Sequence, residues 1–192
     1  RDEWLKFIDT LSEGNGDQQL GVRVISAIAD VVDSPGGMLW LINENTFSLS
    51  AVWNVKLEKD QAIYDSDISS LLNYMKSKKQ VVDVDEGFIL NHTESCHFPY
   101  WYSDLENSWL FVPLLRQDEL YGVILLTRAR AKIELNWENL DLLITTGRQA
   151  TNDLALYEAN ERLLNSRQFD AFNRLSAFLV HDLKNISAQL NL

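Results

Sequence analysis

Residues 109–127, WLFVPLLRQDELYGVILLT, decide how the rest of the chain is read. WLFVPLL at 109–115 is an apolar run of strand length. LYGVILLT at 120–127 is a second such run. The four residues between them, RQDE at 116–119, leave room only for a tight turn, so the two runs pair as a hairpin. Pro113 cannot donate to a strand ladder, which predicts a sheet edge or a bulge at that position.

Upstream, residues 85–107 form a long irregular stretch, and long loops in compact domains are often binding loops. VVDV at 81–84 reads as a short strand. Residues 67–77 carry Ile68, Leu71, Leu72 and Met75 at helical spacing. A second hairpin precedes them: MLWLI at 38–42, a turn at 43–45, and a strand over 47–53. Pro35-Gly36-Gly37 stops a helix that starts with Asp17 as N-cap, runs to about residue 33 and buries Leu20, Val24, Ile28 and Val31. Gly14-Asn15-Gly16 separates it from a first helix at 3–11, with Trp4, Phe7, Ile8 and Leu11 on one side.

VPLLRQDELYGVILL at 112–126 resembles the last core hairpin of GAF domains, which are small-molecule-sensing or dimerising modules. The order helix, hairpin, helix, short strand, loop, hairpin, helix is similar to theirs over roughly 3–157. The resemblance implies an α+β fold: an antiparallel sheet with flanking helices, here followed by a long C-terminal helix. A small-molecule ligand would sit between the sheet and the 85–107 loop. Six tryptophans and FPYWY at 98–102 either line such a pocket or fill the core. The loop also carries His92, Glu94, Cys96 and His97. Their spacing is no recognised zinc pattern, so no metal is assigned. Cys-His before the last hairpin is the pairing used by bilin-binding photoreceptors, but their other chromophore contacts are not recognisable here. A surface loop is the simplest account.

From Asn136 onward the pattern is helical with few breakers, long enough to suggest one helix and a coiled coil. Leu143, Gly147, Ala150, Leu154, Tyr157 and Leu164 keep a four-three rhythm, interrupted by Glu161. A second seam runs through FDAFNRLSAFLVHDLKNISAQLNL at 169–192: Phe172, Ser176, Leu179, Leu183, Ile186 and Leu190. It is one residue out of phase with the first, which makes 164–172 a junction. At roughly 100° per residue, His181 lies about 180° from the second seam and Asn185 shares its face, with Asp182 nearer the seam flank. A neutral imidazole is nucleophilic near pH 7, and an adjacent carboxylate can orient it and accept its proton.

His181-Asp182-Leu183-Lys184-Asn185 resembles the H-box of sensor histidine kinases. RQFDAFNRLSAFLVHDLKN at 167–185 is similar to the PrsK-like sensor kinases of the XrtA/PEP-CTERM exopolysaccharide system, as is LNWENLDLLITTGRQA at 135–150. The resemblance implies that His181 accepts the phosphoryl group of ATP and that Asn185 helps position water for dephosphorylating a response regulator receiver domain. The second seam is too apolar to face water along its whole length and one helix cannot bury it, so a parallel homodimer is expected. Ile186-Ser187 stands where many members have Pro-Leu, so the helix is expected to lack the usual bend.

These features divide the chain into a GAF-like sensor domain at 1–157 and, at 158–192, a signalling helix with the first helix of a dimerisation and histidine-phosphotransfer domain. No Walker motif, GxGxxG or nucleophile elbow is present, so no cofactor is expected in these residues; ATP and Mg would belong to the full-length kinase. A formal net charge of −11 argues against nucleic acid and anionic membranes as partners. A single cysteine fits a reducing cytosol. No apolar run approaches the roughly 20 residues that span a bilayer. The chain opens on Arg1 and stops inside an amphipathic helix, so it is expected to be part of a longer cytoplasmic protein, compatible with an inner-membrane tether upstream.

Overall fold

The computed structural model describes residues 20–43, 46–56, 65–84, 107–131 and 133–190, and only the backbone at 43, 65–67 and 180–190. The expected helix at 3–11, its Gly-rich break, the Asp17 cap and the loop at 85–106 lie outside the described residues. The chain forms two compact units, Arg1–Asn152 and Asp153–Leu192.

Helix α1 (Leu20–Ala29) buries Val24, Ile25, Ala27 and Ile28, then tightens into a 3₁₀ turn, Asp30–Val32. Asp33 at φ 49° reverses the chain into β1 (Gly37–Asn43), which pairs with β2 (Thr46–Trp53). Helix α2 (Asp65–Lys78) and the two-residue β3 (Val82–Asp83) follow. The deciding hairpin is β4 (Ser108–Arg116) and β5 (Glu119–Thr127). Helix α3 (Trp137–Leu190) is the last described element. The five strands are antiparallel in the order β2-β1-β5-β4-β3. The α+β architecture expected from the sequence is therefore present.

A small polar knot fixes where β1 enters beside β5. The Ser34 hydroxyl lies 2.9 Å from the Gly36 carbonyl and 2.7 Å from the Thr127 carbonyl. Thr127 donates both its backbone N–H and its hydroxyl to Gly36 O, each at 2.9 Å. Buried carbonyls at a strand entrance need such partners.

The apolar runs are continuous because the sheet is covered on both sides. On one side, Ile68, Leu71 and Met75 of α2 pack with Met38, Trp40, Phe111, Leu115, Val123 and Leu125. On the other, Gly21 of α1 lies over Leu39 and Ala51, and Ile25 lies against Gly37. Pro113 sits past the reach of β3, which pairs only with Leu110 and Phe111, and the ladder shifts register next to it at Leu114/Leu115. Its missing donor thus falls beyond the ladder made by β3.

The first half of α3 corrects one expectation. Leu143 and Ala150 are fully buried, and Gly147 lies against Pro113, Leu114 and Val112 of β4. This part of the first seam is domain core rather than a coiled-coil surface. A helix packing on a sheet and a helix packing on a helix present the same three-four spacing. Thr146 and Thr151 are buried with it, their hydroxyls donating to Leu142 O and Gly147 O at 2.7 Å. A reciprocal cap starts the helix: Asn139 N–H donates to Asn136 Oδ1 at 2.9 Å, and Asn136 N–H to Asn139 Oδ1 at 3.2 Å.

Candidate functional site

His181, Asp182 and Asn185 lie in the backbone of α3, in the stretch where side chains are outside the described part. The helix runs on through Ile186-Ser187 to Leu190, unbroken as the absence of proline predicts. Before His181 the helix is unusually apolar for an exposed surface. Phe169, Phe172, Leu175, Phe178 and Leu179 each expose more than half of their area.

Phe172 and Leu179 belong to the expected seam. Leu175 and Phe178 do not; with Ala171 they continue the heptad steps of Leu164. Phe178 to Phe172 therefore covers about 120° of helix circumference at about 100° per residue. The signal for this wider face was present in the sequence, but following one seam at a time hid it. Arg167, Asp170 and Arg174 are exposed alongside. Tyr157 and Leu164 of the first seam are exposed as well.

On the sensor side, Trp40 is fully buried and stacks on Phe47, with centroids 5.8 Å apart and planes 8° from parallel. Trp109 is buried too, so these two fill the core, while Trp137 stands exposed at the start of α3. His92, Glu94, Cys96, His97 and the 98–102 aromatics lie outside the described residues. Among the described residues, no group of three His, Cys, Asp or Glu side chains is placed to hold a metal ion, and no helix is long and apolar enough to cross a membrane.

Sequence reasoning also missed Asp118. It occupies the β4–β5 turn, where Gln117 and Asp118 both take left-handed backbone, φ 48° and 68°. Arg148 Nη2 of α3 lies 3.1 Å from Asp118 Oδ1, and Lys79 Nζ, just past α2, lies 3.5 Å from Oδ2. The hydrogen bond from Arg148 and the charge of Lys79 hold the Asp118 carboxyl below its ordinary range.

No family model matches the chain, and no curated protein matches it. Solved structures do. Residues 122 to 287 of a methyl-accepting chemotaxis protein superpose with TM-score 0.56 at 12% identity, covering 83% of this chain and 99% of that one. The GAF domain of a phosphoenolpyruvate-protein phosphotransferase from Coxiella burnetii gives 0.56 at 13% identity, over 83% and 96% of the two chains. The blue-light-absorbing PixJ GAF domain from Thermosynechococcus elongatus gives 0.52 at 14%, over 86% and 94%. At these identities the likeness is one of fold, and the fold is GAF-like: a five-stranded antiparallel sheet, flanking helices and a long C-terminal helix.

Proposed function

We propose that the chain is the sensor region and H-box helix of a two-component sensor histidine kinase of the PrsK-like type, with His181 as phosphoacceptor. The observation that carries this reading is one helix, α3, that starts on the sheet of the GAF-like unit and includes the HDLKN segment without a break. Its apolar exposed flank supports a helix that works beside others, as a second copy of this chain would provide.

In the proposed step, an imidazole nitrogen of His181 attacks the γ-phosphorus of ATP. The bond from that phosphorus to the bridging oxygen of ADP breaks, and the ring proton passes to Asp182. ATP and Mg are held by a catalytic ATP domain, so the step depends on bringing that domain to the helix in line. Asn185 would orient water when the phosphorylated receiver domain is hydrolysed. The sensor unit would bias these steps on binding a small molecule. In a PrsK-like kinase the regulated output is exopolysaccharide gene expression, and the protein works in the cytoplasm, whether or not an upstream segment tethers it to the inner membrane.

The test supplies the catalytic domain in trans with γ-labelled ATP. The wild-type chain is expected to take up label that is acid-labile and alkali-stable, and His181→Gln to take up none. Label that survives His181→Gln overturns the assignment. A chain that dimerises but is never labelled is instead a non-catalytic GAF module.

A further inference from the structure

Helices α2 and α3 pack on opposite faces of the sheet. At the tip of the β4–β5 hairpin, one carboxylate reaches both. Asp118 gives one oxygen to Arg148 of α3 and the other to Lys79 at the end of α2. Two of these three residues are held in left-handed backbone. Lys79, at φ 54°, closes α2 by donating its N–H to Met75 O at 2.8 Å, and Asp118 is at φ 68°. With Gln117, the turn has two left-handed residues and no glycine. Such a conformation is costly and persists where the surroundings fix it. Asp is among the few non-glycine residues that take left-handed backbone readily, so it suits this turn, and its side chain does more than that. What Asp adds is a carboxylate between two helices.

We propose that Asp118 is a coupling latch: a displacement of the C-terminal end of α2, the helix on the Trp40 face, is passed through this carboxylate to α3. The paired β1–β5–β4 ladders lie between the two helices, and the carboxylate at the hairpin tip joins the helices directly around the sheet's rim. The latch is exposed, with 59% of the Asp118 side chain accessible, so it is weak and quickly broken. Such a contact biases two helices without welding them together. The proposal concerns the sensor unit alone and holds or fails independently of the His181 assignment.

Amide hydrogen exchange on the 192-residue chain tests it. Arg148→Met is expected to raise exchange in its own helix and also, by about two- to fivefold, in the last turn of α2, which it does not touch. In an Asp118→Asn background the same substitution should leave the last turn of α2 unchanged. Asp118→Gly relaxes the left-handed turn while removing the carboxylate, and it is expected to loosen both helices. Unchanged protection of the β1 amides marks the fold as intact in each variant. Exchange that rises only in α3 on Arg148→Met, or helices that stay tight in Asp118→Gly, would overturn the latch and leave Asp118 a turn residue.

Discussion

A methyl group on residue 122 would lie 2.5 Å from the Trp40 carbonyl oxygen, closer than any real contact allows. Gly122 is therefore required by the approach of β1 to β5, and Gly122→Ala should cost about 1–3 kcal/mol, read as a lower Tm. Asp118 makes a prediction of different sign with pH. Its folded pKa lies below the ordinary 3.8, so its stabilising pairs are complete above that value and are lost as pH falls through the folded one. In acid titrations, Asp118→Asn should be the less stable protein at neutral pH, and the two curves should converge below the ordinary carboxylate range. A gap that persists at the acid end would assign its origin to the turn and not to the charge. For the proposed chemistry, Asp182→Asn should slow labelling of His181 roughly 10²–10⁴-fold while the chain stays folded. Labelling at the wild-type rate would mean the proton leaves by another route.

At the level of elements, α3 separates two kinds of apolar residue that look alike in sequence. Leu143 is fully buried, so Leu143→Ala should cost about 2–5 kcal/mol in thermal or urea unfolding. Phe172 exposes most of its surface, so Phe172→Ala should change the monomer's stability by less than about 0.5 kcal/mol and act instead on self-association. Equal losses of folding stability in both would restore a single continuous seam. The strands were legible because each hairpin is bounded by turn residues within a few positions: the 109–115 and 120–127 runs became β4 and β5 with one or two residues added. Helix ends were less so. The helix read as continuing to about residue 33 stops at Ala29 and tightens, because its last residues must turn into β1. Periodicity gave the face of α3 but not what covers it, since a sheet and a partner helix ask for the same spacing. Asp118 was invisible for the opposite reason: its partners lie 39 and 30 positions away, and no local pattern connects them.

For the whole molecule, the exposed run from Phe169 to Leu179 on a chain of net charge −11 predicts self-association through that face rather than general stickiness. Light scattering should find a dimer at high micromolar concentration, and Phe172→Ala with Leu179→Ala should shift it to monomer. A wild-type monomer under those conditions removes the basis for a paired helix. The strand order has a different consequence, for kinetics. Hairpins β1–β2 and β4–β5 join neighbours in sequence, but β1 meets β5 through pairs such as Gly37 with Leu126. Each hairpin can form alone within microseconds, whereas their union must close most of the domain into one loop. The slow event in folding should then be the encounter of two ready-made hairpins. Substitutions at Leu39 or Ile124, which face each other across that join, should slow refolding more than they speed unfolding.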